Sequence, residues 1–224
     1  MKNIIQIAGI IDQREADMLM NAGVDYLGFP LRLPVNIEDL SEGSAAEIIK
    51  TIKPPYHSVA ITYLDNADEI IKFCHKLGVS IIQLHGSIEK IELEEIKAKR
   101  PGLQIIKSLV VTGENLSILE QAIENLSSVV DAFITDTFDP VTGASGATGK
   151  THDWSISKRL VEISSKPVII AGGLNPSNVR RAILEIHPAG VDVHTGVEGI
   201  NGRKDLGLVK RFVEEAKLGF KIKV

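Results

Sequence analysis

Ile169-Ile170-Ala171-Gly172-Gly173-Leu174-Asn175-Pro176 is an apolar, β-branched run that passes through two glycines into an Asn-Pro helix start. The run shows no alternation of apolar and polar residues, as expected for a parallel strand covered on both faces. Glycines at such a turn let bare backbone N–H groups approach a ligand. The helix start adds positive potential, so an anion is the natural occupant. Downstream, Val191-Asp192-Val193-His194-Thr195-Gly196-Val197-Glu198 again runs from an apolar strand into a glycine, with the Thr195 hydroxyl beside it. Paired glycine turns after the last two strands are how closed (β/α)8 barrels hold phosphate. An open doubly wound sheet carries its glycine fingerprint after the first strand, and none follows there.

Six further strands precede these two. The runs are Asn3 to Ala8, Val24 to Phe29, His57 to Tyr63, Val79 to Leu84, Leu103 to Val110 and Ala132 to Asp136, followed by Pro167 to Ala171 and Val191 to His194. Amphipathic segments separate them, which is the pattern of βα units. Eight units of about 28 residues predict an α/β chain forming a single (β/α)8 TIM barrel, one domain over residues 1–224. The helices carry boundary signals of their own. Asp12 with Glu15, and Asn66 with Glu69, fit capping arrangements, Gly23 and Gly78 fit C-terminal stops, and Asn175-Pro176 reads as a cap followed by proline at the first helical position.

Composition narrows the function. Twenty-five basic and 29 acidic side chains leave a formal charge of -4, with no basic run long enough to follow a nucleic-acid backbone. The apolar start from Ile4 ends at Asp12, too short for a membrane or signal segment, and Cys74 is the one cysteine. These features predict a cytoplasmic protein with neither nucleic acid nor membrane as partner. Cys74 sits in an apolar-periodic helix and reads as a small buried hydrophobe. The glycine-rich stretch Val141 to Lys150 reads as an active-site loop, with Gly149 a further amide donor to phosphate. It is no nucleotide P-loop, because Gly143 and Gly149 stand one residue too far apart.

Taken together and in order, several motifs resemble those of the phosphoribosylanthranilate isomerase family. They are Ile7-Ala8-Gly9-Ile10, Ala22-Gly23-Val24-Asp25 with Leu27-Gly28-Phe29, Gln83-Leu84-His85-Gly86, Thr148-Gly149-Lys150-Thr151 with Asp153-Trp154, the Gly172-Gly173 turn, and Gly190-Val191-Asp192-Val193 with Gly196-Val197-Glu198. The resemblance covers essentially the whole chain. It implies a step of tryptophan biosynthesis, an Amadori rearrangement of a phosphoribosyl amine without metal or organic cofactor. An acid must protonate the ring oxygen, and a base must remove the proton at C2 of the resulting iminium. By resemblance Asp136, ending the sixth strand, is the acid, His85 contacts substrate, and Gly149, Gly172, Gly173, Asn175, Thr195 and Gly196 surround the phosphate.

The chain departs from the family at three places. Ala8 stands where the family has its catalytic cysteine, and a methyl group accepts no proton. The family's Ser-x-Arg-Tyr segment, whose arginine holds the substrate carboxylate, is replaced by Pro30-Leu31-Arg32-Leu33-Pro34-Val35-Asn36, leaving Arg32 nearby in a shifted register. His194 stands where the family usually has serine, on the strand that neighbours the first in a closed barrel, and is a candidate for the missing base. A non-catalytic phosphosugar-binding barrel is the main competing reading. A Schiff-base lyase using Lys107 is a third. The chain is expected to work as a monomer or homodimer on a small phosphorylated sugar or phosphoribosyl amine.

Overall fold

The computed structural model describes residues 2–34, 40–137 and 153–222. Eight parallel strands alternate with eight helices and close into a barrel. The strands are β1 (Ile4–Ala8), β2 (Tyr26–Pro30), β3 (His57–Thr62), β4 (Ile81–Leu84), β5 (Gln104–Val111), β6 (Ala132–Thr137), β7 (Val168–Ile170) and β8 (Gly190–Val193). The helices are α1 (Gln13–Ala22), α2 (Glu42–Thr51), α3 (Ala67–Leu77), α4 (Lys90–Lys99), α5 (Leu116–Leu126), α6 (Trp154–Ile163), α7 (Val179–Ile186) and α8 (Leu206–Lys221). Closure comes from β1, which pairs with β2 on one side and with β8 on the other, setting Gln6 opposite Asp192.

Strand alternation sorts the side chains into two cores. Outward residues such as Ile7, Phe29 and Phe133 meet Leu19, Phe73, Leu160 and Phe212 of the helices. Phe29, Phe73, Phe133 and Phe212 are each at most 1% exposed, and burial of such a side chain contributes roughly 1.5–3 kcal/mol. Inward residues Ile4, Val59, Ile81, Ile106, Ala132 and Ile169 fill the lower barrel. Above them the inward positions turn polar, with Gln6, Gln83, Ser108, Asp136 and Asp192 all buried. The interior is apolar below and largely polar above.

The caps read from the sequence form as expected at α1 and α3. Asp12 Oδ1 accepts from the Glu15 N–H at 2.8 Å, and Asn66 Oδ1 from the Glu69 N–H at 3.2 Å. Gly23 and Gly78 close these helices with φ of 86° and 77°, in the left-handed region that favours glycine. Glu15 reaches one residue further back than a capping box requires, accepting from the Ile11 N–H at 3.1 Å.

Asn175-Pro176 opens the turn that leads into α7, whose regular part begins at Val179. The Asn175 carbonyl accepts from the Asn178 and Val179 N–H groups at 3.2 and 3.1 Å, the first bonds of a helical start. Asn178 accepts from the Asn175 N–H at 2.8 Å and donates to the Gly173 carbonyl at 2.9 Å. Those two bonds hold residues 175–177 as a turn, while Asn175 Oδ1 accepts from the Ser177 N–H at 2.9 Å. Strand ends shift by one or two residues, and His194 lies just beyond β8.

Asp12 combines a helix cap with an ion pair to Arg203 from the segment before α8. Asp12→Ala is expected to cost about 1–2 kcal/mol of stability, mostly through the lost cap, measured as a lower urea midpoint at unchanged slope.

Candidate active site

The C-terminal ends of β6, β7 and β8 enclose a pocket lined by Asp136, by Ala171 to Leu174 and by Asp192 to Gly196. Its two walls are the glycine turns. Gly172 and Gly173 have φ of 96° and 64°, conformations costly for any residue with a Cβ. A Cβ at Gly196 would stand 1.9 Å from the Leu174 carbonyl oxygen, so the turns touch backbone to backbone. Among the described residues, the N–H groups of Gly172, Gly173, Thr195 and Gly196 donate to no other group of the protein. Unpaired amides facing one pocket form a concave donor surface suited to a phosphate ester.

Asp136 sits at this pocket, 5% exposed, with Oδ1 accepting from the Thr137 N–H at 2.7 Å. Burial pushes its pKa up to about 7, and the charge of Asp192 acts in the same direction. A carboxyl that retains its proton near neutral pH can donate it. Burial likewise raises Asp192 to about 7, opposed by the Gln6 side chain and the Lys204 ammonium. Asp192 joins the pocket lining without any motif to mark it. Its one sequence signal is strand parity, because β8 places Asp192 on the inward face opposite Gln6.

His85 is held by a chain of side chains across the barrel. Gln6 Nε2 donates to Gln83 Oε1 at 2.8 Å, which turns Gln83 Nε2 toward His85 Nε2 at 2.7 Å. The Gln83 NH2 group can only donate, so His85 Nε2 accepts and the ring proton resides on Nδ1. Nδ1 faces Asp136 Oδ2 at 3.8 Å. Burial lowers the His85 pKa to about 3, so the ring is a neutral polar contact for Asp136.

His194 lies over Gly9, where a Cβ would meet its Nε2 at 2.1 Å. Nε2 is 3.5 Å from Glu198 Oε1, and the buried Lys204 ammonium bonds both Glu198 Oε1 at 2.6 Å and the His194 carbonyl at 3.1 Å. Burial and that ammonium push the His194 pKa down. Ala8 faces inward beside Gly28 and is 4% exposed.

The structure brings Asp136, His194, Gly172, Gly173, Thr195 and Gly196 together around one pocket, with His85 behind Asp136. Arg32 does not join them. Its Nε donates to Glu42 at 2.7 Å and its guanidinium lies 4.6 Å over the Phe73 ring, toward the helical layer. Asn175 braces the turn and is not among the pocket's lining residues. Gly149, the loop from Val141 to Lys150, and Val35 and Asn36 lie outside the described residues. Lys107 is buried outside the pocket lining, with Nζ bonded to the Ser108 carbonyl at 2.9 Å. Cys74 is buried in α3 with its thiol pKa pushed up to about 12. Among the described residues no three His, Cys, Asp or Glu side chains converge as a metal cluster, and no helix is long and apolar enough to cross a membrane.

The family model of N-(5'-phosphoribosyl)anthranilate (PRA) isomerase matches residues 5–215. The chain belongs to the PRA isomerase family. N-(5'-phosphoribosyl)anthranilate isomerase 2 of Methanosarcina mazei is 39% identical over 96% of this chain and 95% of its own length. The Methanothrix thermoacetophila isomerase is 36% identical over 95% and 97%. Among solved structures, the Thermotoga maritima PRA isomerase superposes with a TM-score of 0.81 at 29% identity, covering 96% of this chain and 98% of that one. A PRA isomerase in complex with reduced 1-(o-carboxyphenylamino)-1-deoxyribulose 5-phosphate gives 0.78 at 27% identity, with the same coverage.

The raised pKa of Asp136 carries a stability consequence. A carboxyl whose folded pKa exceeds its unfolded value contributes stability that is complete below about pH 4 and lost as pH rises through about 7. Asp136→Asn is therefore expected to be more stable than the parent by roughly 1–3 kcal/mol at pH 8 and equal to it at pH 4. Calorimetric melts at the two pH values check this, and comparing one variant with its parent cancels the titration of groups elsewhere.

Proposed function

We propose that the protein isomerises a phosphoribosyl amine of the phosphoribosylanthranilate type, opening the aminoaldose and converting it to a 1-amino-1-deoxyketose 5-phosphate. One observation carries the reading: four unengaged backbone amides and a protonatable, buried Asp136 border the same pocket. The amides of Gly172, Gly173, Thr195 and Gly196 hold the phosphate, fixing the ribose ring against Asp136. That carboxyl protonates the ring oxygen, and the neutral His85 keeps it oriented. Proton transfers alone balance the rearrangement, so no metal or organic cofactor is required. The bound ligand analogue named for the PRA isomerase complex is a substrate-sized phosphate ester of the same kind.

The reading extends to a cytoplasmic protein folded as one domain, working alone or paired with a second copy on a small phosphorylated substrate. Arg32, tied to Glu42 and Phe73, is not positioned by these contacts to hold a substrate carboxylate, so the group on nitrogen is free to differ from anthranilate. Ala8 favours a second reading, in which the barrel binds a phosphosugar without turning it over.

Turnover of freshly generated phosphoribosylanthranilate, followed by fluorescence, separates the two readings. The parent is expected to be active, and Asp136→Asn to lose about 10²- to 10⁴-fold in kcat while keeping its affinity for the reduced product analogue. Inactivity of both the parent and Ala8→Cys, alongside tight binding of ribose 5-phosphate, favours the binding barrel. Inorganic phosphate is expected to raise the parent's melting temperature. Gly196→Ala removes that shift, because its methyl group would meet the Leu174 carbonyl.

A further inference from the structure

The isomerase reading leaves one task unassigned, the removal of the C2 proton, and the pocket contains a second carboxyl that no step has used. We propose that Asp192 is the general base of this site, taking the C2 proton that Ala8 has no group to accept. The inference rests on the isomerase reading above.

Position comes first. Asp192 borders the pocket together with Asp136. Its strand is hydrogen-bonded to β1, where Gln6 pairs with it in register, one inward position below Ala8. A proton acceptor at Asp192 therefore works from the wall adjoining the one that Ala8 leaves empty of chemistry.

The second observation is an unmet bond. Asp192 is 8% exposed, yet its Oδ1 is buried with no hydrogen-bond partner. Gln6, Gln83 and His85 nearby are linked into a chain. A buried carboxylate oxygen without a donor is costly, and in a binding pocket it is an acceptor kept open for a ligand proton.

Charge then divides the labour between the two carboxyls. Two acids sharing a buried site do not ionise together, so one holds a proton while the other is charged. Burial raises both carboxyls to about 7, and both line the pocket. Asp192 has the Gln6 side chain on β1, the Lys204 ammonium from the segment before α8 and the Val193 N–H to favour its charged form, whereas Asp136 has the Thr137 N–H. Asp136 feels the Asp192 charge, which keeps its own proton on. In this proposal the ionised role belongs to Asp192, which has the ammonium and the larger number of donors beside it, and the acid role to Asp136. His194 is the weaker competitor, because burial and Lys204 depress its basicity.

The steps balance. Asp136 gives its proton to the ring oxygen as the C1–O bond breaks, and the nitrogen lone pair forms the iminium at C1. Asp192 takes the C2 proton, and the C–H electron pair forms the C1=C2 bond of the enolamine, neutralising the iminium. Return of that proton from Asp192 to C1, with transfer of the enol hydroxyl proton to Asp136, yields the ketone and restores both carboxyls.

Asp192→Asn is the test, assayed with phosphoribosylanthranilate beside the parent. It is expected to lower kcat by about 10²- to 10⁴-fold with affinity for the reduced product analogue retained. A C2-deuterated substrate is expected to show a larger isotope effect in the variant than in the parent. The parent's kcat/KM falls on the acid side as Asp192 protonates, and the variant's residual activity lacks that fall. Adding Ala8→Cys to Asp192→Asn supplies a thiolate and recovers roughly tenfold or more of the lost turnover, a rescue that a merely structural role for Asp192 does not predict. Where Asp192→Asn no longer binds the analogue, Asp192→Ser with and without Ala8→Cys decides by the same rescue. Turnover within about threefold of the parent, no rescue by the thiol, or an acid-side fall removed by His194→Ala but not by Asp192→Asn overturns the assignment. An inactive parent overturns the isomerase reading and this inference with it, whereas an active parent with an equally active Asp192→Asn overturns the inference alone.

Discussion

Closing eight strands into a barrel forces every second side chain inward, and several of the upper inward positions of this barrel are polar groups that water barely reaches. Everything at the site depends on how those groups satisfy one another in a medium of low dielectric. Gln6 and Gln83 solve part of the problem by spanning the interior from β1 to β4 and fixing the proton of His85. The two carboxyls cannot be solved in the same way, because each is an acceptor in its charged form and the donors within reach are few. Their affinity for protons rises instead. The chemistry of the pocket follows from that frustration, which the packed hydrophobic layers outside the barrel hold in place.

The glycine turns are built on a different economy, that of the main chain. Gly172 and Gly173 adopt backbone angles that only glycine adopts readily, and Gly196 abuts the Leu174 carbonyl. Asn178 occupies the Gly173 carbonyl and the Asn175 N–H, so the turn is fixed by a side chain from the following helix while the amides facing the pocket stay unengaged. Rigidity without internal pairing is what a preorganised anion site needs.

Much of this was legible before any coordinates. The unbroken apolar runs, the caps at Asp12 and Asn66 and the glycine turns after β7 and β8 are local signals, and the local physics they report survives in the fold. Asn175-Pro176 likewise keeps its grammar of a helix start, with the regular turns of α7 following from Val179. What a local signal does not carry is a partner that lies elsewhere in the fold. Arg32 has the chemistry to hold a carboxylate, and only the fold reveals that it meets Glu42 and the Phe73 ring. Asp192 was visible as a letter, but its importance lies in facing Gln6 across a strand pair that forms only when the barrel closes. Such information is carried by register, and register is a property of two strands at once.

The imidazole of His194 rests in space that exists because Gly9 has no Cβ, with Nε2 only 2.1 Å from where that atom would be. Positions 9 and 194 are therefore coupled in volume. A side chain at residue 9 would have to displace the ring, and the backbone φ of 79° there would strain it even beside a small residue at 194. A larger side chain at position 8 therefore enters a neighbourhood already shaped by the glycine that follows it and the ring next door.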